Sequence, residues 1–352
     1  MKYLKTNILT TAVILAAIFT LKTNAAEAKP DVQLTPGLIA EHVKSLNTLA
    51  MSFMDLSQPL YTIKLQILTE FLINSPDPRL ILLVTDDRDI QTLNAFIKKQ
   101  KPEFDLQKIK FVKGESTFLS SSWMRDFSPM MVLKKDGSQG LVIFKYENDG
   151  DYAVDQNSVA KTFSSTIEKA KLRLEGGNTL SDEEGRLYIS TAVLDNNPEV
   201  QKAEVEKILK AKLLAREIVW IARLNRDFEG TGHVDMYIRL LKNKQAVVAQ
   251  STQPEISKAL DEIAKVIETK GFKVTRLKTN AKMVNRFRDQ KIFASYTNSI
   301  LVGESIFIPK YGVPEDKVAV SAYQKLGYKV VQIDGESIHF GGSVHCLTYI
   351  YP

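Results

Sequence analysis

Short apolar runs rich in branched residues, each bounded by polar turns, recur along the chain at Leu80–Thr85, Ile109–Val112, Ile218–Ala222, Val274–Leu277 and Val330–Ile333. Runs of this length and composition predict buried β-strands. An opening helix is predicted over Leu38–Met54, and three later helices begin at Pro198, Pro254 and Pro314, because a first-turn residue has no need of its N–H. These prolines stand 56 and 60 residues apart, and segments such as Phe272–Lys278, Ile292–Tyr296 and Ser299–Pro309 supply strands between them. Polar turns at Lys135–Gly137, Asp182–Gly185 and Lys242–Lys244 read as hairpins. A period near 60 residues, with about three strands and one helix per unit, predicts an α/β fold repeated pseudo-symmetrically around a centre rather than a doubly wound sheet. No Pro/Ser-rich linker divides the chain, so a single domain is expected over residues 30–352.

The N-terminus stands apart from this pattern. Lys2 and Lys5 precede an apolar run, Ile8–Leu21, and then two small-x-small triplets, Thr23-Asn24-Ala25 and Ala26-Glu27-Ala28. That order reads as a signal peptide over residues 1–25. The run is shorter than the roughly 20 apolar residues that a membrane-spanning helix needs. The expectation is therefore an exported protein, periplasmic or secreted, with no stable membrane anchor. The formal charge of +6 falls to +3 once Lys2, Lys5 and Lys22 leave with the leader. Lysines such as Lys207, Lys210 and Lys212 fall on a helix surface, and no basic stripe interleaved with aromatics appears, which argues against nucleic acid as a partner.

Cys346 is the chain's one cysteine, so its chemistry is that of a thiol. It follows Gly341-Gly342, where the backbone turns tightly and a ligand can approach closely, and it falls within Val344–Ile350, read as a strand. Three polar clusters accompany it: Trp123-Met124-Arg125-Asp126, Leu174-Glu175-Gly176-Gly177-Asn178 and Gly230-Thr231-Gly232-His233-Val234-Asp235-Met236. Singly, each reads as a tight turn or a satisfied polar residue, and Trp220 as core. Jointly, at corresponding places in successive units, they predict one shared cavity. If Val234–Leu241 is a strand, His233 and Asp235 share a face, which suits a thiol nucleophile served by an imidazole acid/base. Strand neighbours face opposite ways, so His345 is not expected to be that base, and His339 reads as a surface-loop residue. With only His42 besides these and no CxxC or HExxH spacing, no metal is expected.

In chain order, Trp-x-Arg-Asp from Trp123, Glu-Gly-Gly-Asn from Glu175, Gly-His-x-Asp from Gly232 and Gly-Gly-x-x-His-Cys from Gly341 resemble the motifs of the bacterial agmatine deiminase and bacterial-type peptidylarginine deiminase family. That family belongs to the guanidino-group-modifying pentein superfamily, and the resemblance spans Trp123 to Cys346. It implies a five-bladed pseudo-symmetric α/β-propeller. It also implies Cys346 as nucleophile, His233 as acid/base, and Asp126 and Asp235 as the grip on a guanidinium, with Glu175 in or beside the pocket. Trp123, Arg125 and Asn178 join the implied substrate-binding set. Carboxylates suit a planar cation with several N–H donors. The implied reaction is hydrolytic deimination to a ureido product and ammonia through a covalent thiouronium, with no cofactor, on a small guanidino compound or an arginine-containing peptide.

Two departures leave the substrate tail open. Phe127-Ser128-Pro129 stands where the agmatine branch has Thr-Gly-Pro, and Phe144–Gly150 where it has a Trp-Gly element. Glu147, Asp149 and Asp151 offer a seat for a cationic amine. Export favours peptidyl-arginine; agmatine deimination in putrescine biosynthesis is the alternative. An amidinotransferase or arginine hydrolase of the superfamily, or a guanidinium-binding protein without turnover, completes the set of readings. Papain-like proteolysis lacks its cysteine context near the N-terminus.

Overall fold

The computed structural model describes residues 35–42, 46–54, 58–114, 122–146, 154–225, 229–278, 282–284 and 291–352. The leader expected over residues 1–25 and the acidic run at 147, 149 and 151 lie outside the described residues. Among those described, strand pairing forms five sheets of three or four strands and one two-stranded hairpin, Lys282–Val284 with Lys291–Phe293.

The five larger sheets share one connection. An antiparallel pair comes first, and a helical crossover then lays a further strand parallel to the second member, since parallel neighbours cannot be joined by a tight turn. Met130–Leu133 pairs with Gln139–Lys145, and Thr166–Arg173 follows in parallel after the helix Val154–Ala160. Thr179–Ser181, Arg186–Ser190 and Glu217–Ile221 repeat this through the helix Lys202–Lys212. Ile238–Leu241, Gln245–Gln250 and Lys273–Lys278 do so through the helix Pro254–Thr269. Ile300–Val302, Ser305–Lys310 and Lys329–Asp334 do so through the helix Glu315–Lys325. In the fifth sheet Thr348–Tyr351 pairs with Thr48–Ser52, from the other end of the chain, and Arg79–Val84 and Ile109–Lys113 extend it in parallel. This recurrence of one ββαβ unit is what pairing establishes of the five-bladed expectation.

Burial explains the elements. The strands Thr48–Ser52, Arg186–Ser190 and Ile238–Leu241 are buried at every residue, as strands covered on both faces are. The helix Pro254–Thr269 carries Pro254 at its start and buries Leu260, Ile263, Ala264 and Ile267, one stripe at helical spacing. The hairpin turn at Asn243-Lys244 has φ of 58° and 54°, the left-handed pair that matches strand twist.

Four expectations are corrected. Leu38–Met54 is not a helix: the strands Gly37–Leu38 and Thr48–Ser52 lie there, because Thr48–Ser52 supplies the central partner between Thr348–Tyr351 and Arg79–Val84. Pro198 does not open a helix; the helix starts at Lys202, and the side chain of Asn197 ties the preceding turn to Val193 and Arg173. Val234–Leu241 is a 3₁₀ turn, Val234–Met236, followed by the strand Ile238–Leu241. The last strand begins at Thr348, leaving Cys346 in the turn before it.

Candidate active site

Each of the five antiparallel pairs is entered through a short turn, and the polar motifs occupy four of these turns. Asp126 lies on the single helical turn Met124–Phe127 before Met130–Leu133. Glu175 precedes the 3₁₀ turn Gly176–Asn178, and His233 precedes Val234–Met236, which carries Asp235. Cys346 lies in the turn before Thr348–Tyr351, and Asn298 in the turn before Ile300–Val302. The turns are stitched together by the Arg125 N–H, which donates to the Cys346 carbonyl at 3.1 Å.

Glycine lets them meet. A Cβ on Gly176 would fall 2.1 Å from the Arg125 carbonyl oxygen. A Cβ on Gly177 would fall 2.5 Å from His233 Nδ1, 2.8 Å from Asp126 Oδ1 and 3.2 Å from Asp235 Oδ2. Those three polar groups therefore converge over Gly177, whose N–H donates to Asp126 Oδ1 at 3.0 Å. On the far side, a Cβ on Gly342 would fall 2.7 Å from Trp123 Cζ3 and 3.0 Å from Cys346 Sγ, so the indole and the thiol face one another across that glycine.

The side chains form a linked set. His233 Nε2 lies 2.6 Å from Glu175 Oε2, and its Nδ1 lies 3.6 Å from Asp126 Oδ1 with no hydrogen-bond partner. Asp235 Oδ2 lies 3.8 Å from Cys346 Sγ and 2.6 Å from His345 Nδ1, while Asp235 Oδ1 has no partner. The Asn298 amide donates to Sγ at 3.1 Å, and its carbonyl oxygen accepts the His345 and Cys346 N–H groups at 3.0 and 3.3 Å. Cys346, His233 and Asp235 are all at least 97% buried, with exposures of 3%, 3% and 1%. Buried, unpartnered polar atoms are costly unless a ligand completes them: Asp235 Oδ1 calls for a donor, and the His233 Nδ1–H is placed to pass a proton.

Charge is arranged accordingly. Burial, then the negative charges of Asp235 and Asp126, hold the Cys346 thiol well above its usual range. Burial alone would lower His233, but Asp126, the hydrogen bond to Glu175 and Asp235 outweigh it and raise the imidazole to about 10. Burial, reinforced by Glu175 and Asp235 against the opposing His233, pushes Asp126 up to about 7. Asp126, Glu175 and His233 also present ligand atoms within 4.8 Å of one another, the geometry of a cation site.

The remaining predicted residues are placed around this centre. The Arg125 guanidinium is engaged by Glu41 and stacks 4.3 Å from the Tyr349 ring centroid. Asn178 Oδ1 accepts the Ser190 N–H at 3.0 Å and so braces the adjoining hairpin. His339 lines a cleft of about 530 Å³ with Asp334, Glu336 and Tyr311. His42 is buried, its pKa lowered to about 4 by burial and then by Arg239. His345 was expected to face away; because residues 344–347 form a turn rather than a strand, its ring instead reaches Asp235. Asn298 and Glu41 were not anticipated. The repeat itself carried the signal for Asn298, which occupies the turn of the one unit without a recognised motif.

The fold so built is shared with solved structures. The agmatine deiminase of Enterococcus faecalis superposes with a TM-score of 0.72 at 16% identity, over 90% of this chain and 96% of that one. A cysteine-to-serine variant of the C. jejuni agmatine deiminase with substrate bound gives a TM-score of 0.72 at 18% identity and the same coverage. In sequence, the agmatine deiminase of Pseudomonas fluorescens is 24% identical over 300 residues, 73% of this chain and 81% of that protein. The profile of the Porphyromonas-type peptidyl-arginine deiminases matches residues 72–352 and so contains every turn that carries the site. With four motifs in order and a match across most of its length, the chain belongs to the Porphyromonas-type peptidyl-arginine deiminase family.

Proposed function

We propose that the protein hydrolyses a guanidinium group to a ureido group and ammonia, with Cys346 as nucleophile and His233 as acid and base. The observation that carries this reading is the pair of buried, unpartnered atoms, Asp235 Oδ1 and His233 Nδ1, beside a buried thiol. Asp126 and Asp235 hold the cation's plane through charge-assisted hydrogen bonds. Burial and then these two carboxylates hold the thiol neutral in the absence of a cation, so entry of the guanidinium offsets their charge and the thiol gives up its proton to solvent. The Asn298 N–H supports the sulfur anion as it attacks the central carbon. His233 gives its proton to the departing ammonia, then takes one from the water that hydrolyses the thiouronium. Glu175 keeps the imidazole in place throughout.

Arginine in peptides is the substrate class favoured, supported by the family and by the leader-like N-terminus, which points to an exported enzyme. Agmatine is the second reading, favoured by the names of the relatives. A ureido assay on agmatine, free arginine and peptides with internal or C-terminal arginine separates them. Absence of both ureido product and ammonia with every guanidino compound sinks the reading.

A further inference from the structure

We infer that Glu41 and His345 are positioning residues of this site, clamping Asp235 Oδ2 so that the carboxylate is held in one plane for the substrate guanidinium. The inference rests on the deiminase reading for its chemistry but on separate atoms for its geometry. His345 is completely buried. Its Nδ1 lies 2.6 Å from Asp235 Oδ2, and its Nε2 lies 3.0 and 2.9 Å from Glu41 Oε1 and Oε2. Both ring nitrogens thus face carboxylate oxygens, and Asp235 is left with one oxygen taken and one, Oδ1, buried and unpartnered.

The terminal torsion of an aspartate is broad, so without an anchor the plane of the carboxylate would turn freely. Oδ2 is also the oxygen 3.8 Å from Cys346 Sγ, and such turning would take both acceptors out of the plane of a guanidinium held beside the thiol. His345 prevents this from a site that is itself fixed. Its backbone N–H and that of Cys346 share the Asn298 carbonyl oxygen, so one residue ties the nucleophile's backbone to the guanidinium clamp.

Glu41 secures the far end of the imidazole. It belongs to the turn at residues 41–42 and bonds a residue 304 positions later in the chain. Arg125 Nη1 and Arg239 Nη1 both donate to it, the latter at 2.6 Å. Burial would raise its carboxyl, but Arg125, His345 and Arg239 bring it well below the ordinary range, so it remains an anionic acceptor.

The test uses the full chain with His345→Ala, His345→Asn and Glu41→Gln, reading kcat and KM on the best guanidino substrate together with melting temperature. A second reading is protection of Cys346 from iodoacetamide by guanidinium chloride. His345→Ala is expected to lose about 10- to 100-fold in kcat/KM, the effect of one hydrogen bond to a charged group, with KM raised. His345→Asn, which keeps a donor on the Nδ1 side, recovers part of the loss, and guanidinium protection disappears in His345→Ala while the unprotected thiol still reacts. Folded His345→Ala with wild-type kcat and KM overturns the proposal, as does equal impairment of the Ala and Asn variants in step with melting temperature. A folded Glu41→Gln with unchanged KM removes Glu41 from the clamp; if that variant does not fold, Glu41→Asp, which still faces the arginines but withdraws from the ring, is read the same way. Should the wild type turn over no substrate, protection by guanidinium in the wild type but not in His345→Ala still supports the clamp, and equal protection, or none in either, overturns it.

Discussion

At the scale of single residues, the candidate site gathers a thiol that burial, then the charges of Asp235 and Asp126, keep neutral. Cys346→Ser and His233→Ala are each expected to abolish ammonia release, because no other described nucleophile or imidazole occupies their positions; substantial turnover in either would reassign the roles. Asn298→Ala removes the donor 3.1 Å from Sγ and is expected to lower kcat by about tenfold or more, with slower alkylation of Cys346 by iodoacetamide. Gly177→Ala places a methyl 2.5 Å from His233 Nδ1, and both activity and melting temperature should fall, by about 1–3 kcal/mol in stability. Asp126, Glu175, His233, Asp235 and Cys346 were all legible as motifs. His345 reaches Asp235 because the backbone turns at residues 344–347, where strand alternation would have pointed it away, and Asn298 lies outside every motif because an isolated Asn carries none.

At the scale of elements, the strands laid in parallel by the crossovers were legible and their boundaries moved by only a residue or so, whereas the strands expected from Val234 and Val344 begin four residues later, at Ile238 and Thr348. The strand expected at Leu80–Thr85 runs Arg79–Val84, and that at Val274–Leu277 runs Lys273–Lys278. Arg79–Val84 is buried from its second residue onward, and burial on both faces writes a continuous apolar run into the sequence, while Lys273–Lys278, at a sheet edge, is fully buried only at Leu277. Thr48–Ser52, built of Thr, Leu, Ala, Met and Ser, has no run of branched residues, and its partner strand from the opposite end of the chain decides its state. Helix ends depend on local chemistry. Asp86 caps Asp87–Gln100 with a reciprocal capping box, so Asp86→Ala should cost about 1 kcal/mol in urea unfolding and leave kcat unchanged. A loss of activity in that variant would couple this helix to the site in a way its position does not suggest.

At the scale of the whole molecule, gathering charge in the interior sets a pH dependence of stability. Asp126, raised to about 7, binds its proton more firmly folded than unfolded, so its contribution is present at low pH and is lost as pH rises from about 4 through 7. His233, raised to about 10, likewise contributes fully below its unfolded value and loses that contribution as pH rises through 10. Melting temperature should therefore decline across both windows, and Asp126→Asn should flatten the lower one. Guanidinium chloride at millimolar concentration should raise the wild-type melting temperature more as pH rises through 7, where Asp126 ionises and can pair with it. A wild-type curve with no slope between pH 4 and 7 would show that Asp126 does not carry the raised value.

By itself, the sequence determined the motifs of the candidate site and the rhythm of the fold. Short-range patterns of apolar runs, turns and Gly-flanked polar motifs are properties of adjacent residues, and they survive translation into structure with little change. Tertiary structure decided how those motifs face one another. The meeting of His233 with Asp126 over Gly177, the capture of Asp235 by His345, and the anchoring of that imidazole by Glu41 join residues tens to hundreds of positions apart. Contacts of that kind are set by which strands pair and which backbones lack a Cβ at the point of approach, and no local pattern encodes them.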